Sequence, residues 1–166
     1  MLEYLASLST RYPVLTDVNW WQGILIALIV VAIMEVVAIL SHKYVMHGFL
    51  WSLHKSHHEP RTGTFEKNDW FGVAGAIPSM ILLMIGTHYG LHMITAIGAG
   101  ITMYGAIYFG LHDVLVHRRV KHSWNPQWGY MKRVVQAHRL HHVVETKEGT
   151  VSFGFIWAPP IRKLKA

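Results

Sequence analysis

Histidine is the residue type on which any chemistry of this chain must depend. The chain has 13 histidines, and ten of them form one pattern that occurs twice, a His-x4-His pair followed by a His-x-x-His-His cluster. Because imidazole is the commonest protein ligand for iron, zinc, copper and nickel, the repeated pattern predicts a site for two metal ions. The ten residues are His42, His47, His54, His57, His58, His112, His117, His138, His141 and His142.

The spacing within each cluster suits metal binding on a helix. Positions i, i+3 and i+4 lie within about 100° of one another around an α-helix, so three rings can point at one locus. The His-x4-His pairs fit less well, since five residues place two side chains roughly 140° apart on an ideal α-helix. Each pair therefore requires a helix end, a π-bulge or a position between two metal ions.

The number of histidines favours two metal ions over one. By ligand type alone, imidazoles suit zinc and iron almost equally. A structural zinc is usually closed by four ligands, whereas two metals with about five imidazoles each leave room for oxygen and a bridging water. A dinuclear iron site at a membrane surface would suit O2 activation on a lipid-dissolved substrate, because an unactivated C–H bond requires a redox metal. The other three histidines, His88, His92 and His122, are expected at a surface or membrane interface.

The composition indicates an integral membrane protein. Hydrophobic residues make up 52% of the chain and charged residues 14%, an unusual balance for a soluble protein. Since about 20 apolar residues cross a bilayer, we expect an all-α protein with three transmembrane helices at about 20–41, 70–86 and 91–111. Cytoplasmic helical segments would carry the histidine-rich dinuclear site. Small residues in the third span, such as Gly98 and Gly100, would allow close helix packing, and Pro78 would kink the second span or make it partly re-entrant.

The lysines and arginines predict the orientation of these spans. Apart from Arg11, every Lys and Arg lies in 42–67 or 118–165, which places both segments in the cytoplasm by the positive-inside rule. We therefore expect a protein of the bacterial inner membrane with its site on the cytoplasmic side. The net charge of +6 suits apposition to anionic lipid, so a nucleic-acid partner is not needed to explain it.

Cysteine is absent from the sequence. This excludes disulfides, thiolate-ligated haem and all-cysteine iron–sulfur clusters. The sequence also has no G-x-G-x-x-G after a strand and no P-loop, so we expect no nucleotide site in this chain.

Four motifs in order, HKYVMH, HKSHH, HDVLVH and HRLHH, resemble those of the membrane-bound di-iron fatty acid hydroxylase and sterol desaturase superfamily. More narrowly, HKYVMHGFLWSLHKSHHEPRTGTFEKND, IYFGLHDVLVHRR and AHRLHHVVETKEGTVSFGFIWAPP are similar to the bacterial β-carotene 3-hydroxylases. The likeness covers about Gly23 to Lys165. It leaves residues 1–19 as a leader, non-cytoplasmic or interfacial, before a hydroxylase domain at 20–166.

The resemblance implies a non-haem di-iron monooxygenase that uses O2 and two electrons. Its reaction would hydroxylate C3 and C3′ of β-ionone rings, taking β-carotene through β-cryptoxanthin to zeaxanthin. It also implies that the ten clustered histidines bind two iron ions and that a separate ferredoxin and reductase deliver the electrons. A carotenoid ketolase or a fatty acid or sterol hydroxylase of the same superfamily is the alternative. A haem-binding or metal-transporting membrane protein is a remoter one.

Acids near the clusters are candidates for orienting the ligands, because a metal-bound imidazole usually donates its other N–H to an acceptor. Asp113, Asp69, Asn68 and Glu59 are such candidates, and solvated or helix-capping roles are the alternative. Glu35 lies inside the first span, where an acid suggests a function or a buried hydrogen bond. Aromatic and apolar residues beside the motifs would form a pocket for a rigid apolar substrate or pack at the interface: Phe49, Leu50, Trp51, Phe71, Phe109, Phe153, Phe155 and Trp157.

Overall fold

The computed structural model describes residues 2–164, and all regular secondary structure in that range is helical. Two π-helical segments, Ser41–Phe49 and Phe109–Val116, continue α2 and α5 directly, and two short 3-10 turns cover Pro13–Leu15 and Ile161–Lys163. The α-helices are α1 (Leu2–Arg11), α2 (Trp20–Leu40), α3 (Trp51–His58), α4 (Asp69–His88), α5 (His92–Tyr108) and α6 (Gly129–His142).

Within residues 2–164, three helices are long and apolar enough to cross a membrane: Trp20–Phe49, Asp69–His88 and His92–Val116. Only 6% of the most apolar stretch of the first is buried inside the protein. A helix that is apolar on all sides and not covered by protein suits a lipid environment. The expected all-α class with three candidate spans is therefore confirmed. The first and third extend further than expected because π-helical turns prolong them.

The start of α2 is fixed by a reciprocal cap. The backbone N–H of Gln22 donates to Oδ1 of Asn19 (3.0 Å), and the N–H of Asn19 donates to Oε1 of Gln22 (2.9 Å). This is the capping-box arrangement, which satisfies two amides that the helix leaves unpaired. The expected boundary after residue 19 thus coincides with a helix start, and the stretch before it contains α1 and the first 3-10 turn.

The contacts within the chain define two compact units. The first comprises residues up to Met34 together with Gly72–Gly105. In this unit α4 and α5 are joined by a turn in which Gly90 has a φ of 66°, a left-handed conformation that glycine adopts without strain. Pro78 lies inside α4, which continues past it to His88.

Close packing in the first unit depends on small residues of α5. A Cβ on Gly100 would lie 2.6 Å from Cβ of Val30 and 2.7 Å from the carbonyl oxygen of Ala27, whereas no described atom lies within 4 Å of one on Gly105. The expected role of small residues thus holds at Gly100, where α5 approaches α2 closely.

The second unit comprises Glu35–Phe71 and the described residues from Ala106 onward, and it contains all ten clustered histidines. Its small apolar core is formed by Val134, Ala137 and Ala158, with Ile161 and Leu164 packed against them. Helix α3 contacts the first π-helical segment, and α6 contacts the second. Each His-x-x-His-His helix therefore lies against a His-x4-His segment.

Candidate metal centre

The His-x4-His pairs lie on π-helical turns. His42 and His47 are both within Ser41–Phe49, and His117 ends the turn Phe109–Val116 that contains His112. The N–H of His117 donates to the carbonyl of His112, five residues earlier (2.9 Å). Because a π turn closes over five residues, it brings two side chains at this spacing towards one face, which an α-helix does not do. One of the three solutions that the spacing allowed is thus confirmed.

The chain changes direction after the first π-helical segment. Gly48 has non-helical backbone angles (φ −103°, ψ −122°), which break the helix before α3 begins at Trp51. Within α3, the rings of His54, His57 and His58 are all buried, as positions i, i+3 and i+4 allow.

The structure brings nine of the ten clustered histidines into two groups that could each hold a metal ion. In each group, one nitrogen per histidine lies within 4.8 Å of the others. The five-histidine group contains His57, His112, His117, His138 and His142. The four-histidine group contains His42, His47, His54 and His141. The other three histidines lie outside both groups, with His88 and His92 exposed and His122 bonded to the carbonyl of Val114.

Each group contains one histidine from the other copy of the pattern. His57 belongs to the first copy but joins four residues of the second, and His141 of the second joins three of the first. By position in the pattern, His58 is the counterpart of His142, so a symmetrical arrangement would add it to the four-histidine group. The ring of His58 lies 4.9 Å from that of His47 and 4.9 Å from that of His141, between centroids.

Acceptor oxygens face the Nδ1 atoms of six of the nine grouped histidines. In the five-histidine group, Nδ1 of His57 lies 2.9 Å from Oε2 of Glu66, and Nδ1 of His112 lies 2.6 Å from Oδ1 of Asp113. In the four-histidine group, the acceptors are neutral oxygens. Three of them are backbone carbonyls: Phe153 O lies 2.9 Å from Nδ1 of His42, Lys147 O lies 3.1 Å from Nδ1 of His47, and Val151 O lies 2.9 Å from Nδ1 of His141. The fourth is the side-chain Oδ1 of Asn68, which lies 2.7 Å from Nδ1 of His54.

This arrangement fixes the position of the ring proton. A carbonyl or carboxylate oxygen can only accept, so each of these Nδ1 atoms carries the proton of a neutral imidazole. Each Nε2 is then an unprotonated lone pair, yet the Nε2 atoms meet in pairs. The separations are 3.1 Å for His42 and His54, 3.1 Å for His47 and His141, and 2.9 Å for His57 and His112.

Metal ions fit this donor set. Two lone pairs at about 3 Å repel each other unless a cation lies between them, and metal–imidazole bonds of about 2.1 Å at a right angle give a separation of about 3.0 Å. His58 points to the same conclusion. Its Nδ1 faces the carbonyl of Val144 (3.0 Å), and its buried Nε2 has no hydrogen-bond partner among the described residues.

Comparison with known proteins places the chain in a family. The fatty acid hydroxylase family model matches residues 27–159. The chain belongs to the fatty acid hydroxylase family. It is 50% identical over 147 residues to the beta-carotene hydroxylase of Pantoea ananas, covering 89% of this chain and 83% of that protein. It is 49% identical to the beta-carotene hydroxylase of Paracoccus sp. (strain PC1), covering 85% and 87%. No solved structure matches the chain.

Burial keeps the histidines of this fatty acid hydroxylase family member neutral. Desolvation lowers the pKa of His54 to about 3 and the pKa values of His58 and His117 to about 4. The pKa values of His57 and His138 are also lowered, mainly by burial. Because metal and proton compete for the same nitrogen, low pKa values leave the lone pairs available at neutral pH.

Two of the four residues expected to orient histidines contact them directly. Asn68 and Asp113 accept from His54 and His112 as described above. Asp69 instead pairs with Arg119 (2.6 Å), and Glu59 pairs with Lys55 at an exposed position (3.1 Å). Sequence reasoning missed Glu66, which lies in a loop nine residues after its histidine partner. It also missed the backbone carbonyls, for which the sequence carries no signal.

Glu35 holds the segment that follows the last cluster. Its Oε1 accepts the backbone N–H groups of Phe155 (3.0 Å), Ile156 (3.0 Å) and Trp157 (2.6 Å). A Cβ on Gly154 would lie 2.8 Å from the same oxygen, so only glycine fits there. The carbonyl of Phe153 in this segment accepts the N–H of His42. Glu35 therefore helps to position His42 through the backbone of residues 153–157.

The aromatic residues expected to line a substrate pocket divide into two sets. The ring of Phe155 is buried and stacks on His42 (5.2 Å between centroids), and Phe153 contacts His42 at its edge (5.5 Å). In contrast, Phe49 and Trp157 are 77% and 65% exposed. The exposed residues contribute no wall at the centre.

Two cavities adjoin the histidines. An open cleft of about 440 Å³ reaches His57, His58, His117 and His142, and its walls carry charges of both signs. An apolar cavity of about 10 Å³ lies beside His112, His138 and Phe155. This apolar space is no larger than one water molecule, so a larger apolar molecule could enter it only if side chains such as Phe155 moved.

Proposed function

We propose that this chain is a membrane-bound carotenoid monooxygenase that hydroxylates C3 and C3′ of β-ionone rings. It would convert β-carotene through β-cryptoxanthin to zeaxanthin, using O2 and two electrons at a non-haem di-iron centre. The main support for the proposal is that unprotonated Nε2 atoms of histidines lie in close pairs within two groups. The 46–50% identity to four bacterial proteins named beta-carotene hydroxylase supports the substrate.

The five-histidine group would hold one iron ion, and the four-histidine group together with His58 would hold the other. When bound, the two ions would supply the O2 activation that hydroxylation of an unactivated C–H bond requires. Iron is preferred over zinc because zinc has no redox chemistry, and the relatives are named as hydroxylases.

The protein's own side chains prepare this site. Acceptors on Nδ1 hold His58 and six of the nine grouped histidines in one tautomer and one orientation, as ligating histidines usually are. The rings of Phe155 and Tyr108, packed edge to face at 4.7 Å, exclude water from the apolar side. The open cleft, which is lined by His57 and His142, would admit water-borne reactants.

We further propose the orientation and the partners. The lysines and arginines favour a bacterial inner-membrane protein with its centre on the cytoplasmic side. The carotenoid would enter from the bilayer, which suits a nearly all-apolar substrate. Because the sequence has no nucleotide-binding motif, a ferredoxin and its reductase would deliver the electrons. Residues 1–19 would form a leader and 20–166 the hydroxylase domain.

Expression in bacteria that accumulate β-carotene tests the proposal. We expect 3-hydroxylated pigments, identified by chromatography and mass spectrometry, together with two iron ions per purified chain. A 4-keto pigment would indicate a ketolase, and unchanged β-carotene would reject the carotenoid substrate. A Soret band in the purified protein would indicate haem instead.

A further inference from the structure

We propose that the two metal ions are held unequally, because Arg119 positions two carboxylates behind the five-histidine group and neutral oxygens stand behind the four-histidine group. The inference rests on the proposed di-iron function. It assigns to Arg119, Glu66 and Asp113 a positioning role that favours retention of one ion over the other.

Arg119 is at the centre of an ion-pair network. Its Nη2 lies 2.6 Å from Oδ1 of Asp69 and 3.5 Å from Oε2 of Glu66, and its Nη1 lies 3.9 Å from Oδ2 of Asp113. The side chain is 14% exposed, so solvent screens these pairs only weakly. The backbone N–H of Arg119 also donates to the carbonyl of Asp113 (2.9 Å), which ties the guanidinium to the helix end that carries a histidine pair.

Two carboxylates of this network connect Arg119 to metal-ligand candidates. Glu66 accepts from His57, and Asp113 accepts from His112, while the N–H of Glu66 donates to Oδ2 of Asp69 (3.0 Å). The Nε2 atoms of the same two histidines lie 2.9 Å apart. One guanidinium therefore lies within ion-pair distance of both carboxylates, and the carboxylates accept from both rings.

The four-histidine group has no such charge behind it in the described structure. Its Nδ1 atoms donate to three backbone carbonyls and to the amide oxygen of Asn68. A hydrogen bond to a carboxylate is roughly twice as strong as one to a neutral oxygen, and it makes the imidazole a more basic ligand. The five-histidine group should therefore hold its cation more tightly.

Release of iron to a chelator tests this inference. The purified chain is loaded with two equivalents of Fe²⁺ without oxygen and mixed with excess chromogenic ferrous chelator. We expect two phases of one equivalent each, with rates that differ about 10-fold or more. E66Q and R119Q should speed the slow phase by about 10- to 100-fold and leave the fast phase unchanged.

Two further variants provide the control and the reciprocal test. K55Q removes one partner of an exposed ion pair on the same helix as His57 and should change neither phase. N68D places a carboxylate behind His54 and should slow the fast phase. If R119Q fails to accumulate in the membrane, E66Q, which keeps the side-chain shape, still decides the result.

The outcomes separate this inference from the proposed function. Two bound ions that leave at one common rate, or an E66Q variant in which both phases speed up equally, would overturn the unequal binding and leave the di-iron proposal standing. Binding of fewer than two ions by the unsubstituted chain would overturn both.

Discussion

The Nε2 atoms of His57 and His112 lie 2.9 Å apart although 55 positions separate the two residues. The first belongs to the early copy of the histidine pattern and the second to the late copy. Each group of histidines therefore depends on both copies, and substitutions in either copy should affect the same chemistry.

Loss of an exchanged histidine should abolish activity. We expect H57A and H141A each to give no hydroxylated pigment, because each removes a nitrogen that faces a partner at 2.9 Å or 3.1 Å. Pigment analysis and iron quantification on the same membranes provide the measurement. H92A, at an exposed histidine outside both groups, is the control and should retain activity. Full activity in H57A or H141A would contradict the ligand assignment.

Removal of the Glu35 carboxylate should lower stability. E35A leaves three backbone N–H groups without their acceptor, and we expect a loss on the order of 3 kcal/mol in the free energy of unfolding. This corresponds to a fall of roughly 10 °C in Tm for a chain of this size. E35Q keeps an acceptor oxygen and should lose less. Thermal unfolding in detergent measures both, and equal Tm values for E35A and the unsubstituted chain would refute the role of Glu35.

Two glycines of one helix should respond oppositely to alanine. G100A would bring a Cβ within 2.7 Å of a backbone oxygen, so we expect it to cost about 1–3 kcal/mol. G105A enters open space in the same helix and should be neutral or stabilise by up to about 1 kcal/mol. Comparison of their unfolding midpoints in one detergent tests the pair. Similar midpoints would show that the helices do not pack as closely at Gly100.

The ring of Phe155 should influence the product pattern. F155L removes the aromatic face that stacks on His42 and enlarges the apolar cavity. We expect less total hydroxylated pigment and a larger share of the product hydroxylated on one ring, because a looser wall positions each ring less well. Chromatography of the pigments gives the ratio. F65A, at a residue that is 86% exposed, is the control, and an unchanged ratio in F155L would exclude this wall from substrate positioning.

Much of the architecture follows from patterns that the sequence displays directly. The apolar runs predict the three candidate spans, and an even number of spans between His58 and His112 predicts that the two copies meet. The mismatch between a five-residue spacing and the α-helical period also predicts an irregular turn at each His-x4-His pair. These features depend on local periodicity and on chain length alone.

The details of the centre depend on loop paths, which periodicity does not determine. Glu59 directly follows His58 in sequence, yet it pairs with Lys55 one helical turn away, as i and i+4 residues commonly do. Glu66 reaches His57 only because the loop between α3 and α4 returns to α3. Four of the acceptors are backbone carbonyls, which every residue type possesses, so no residue identity could have indicated them.

The exchange of His57 and His141 also limits when the centre can be completed. During synthesis, neither group is whole until α6 has been made, because one group needs His141 and the other needs His142 of that helix. On the proposed di-iron function, loading of either ion would therefore have to follow synthesis of α6. A ribosome stalled before residue 141 would carry no complete half of the centre.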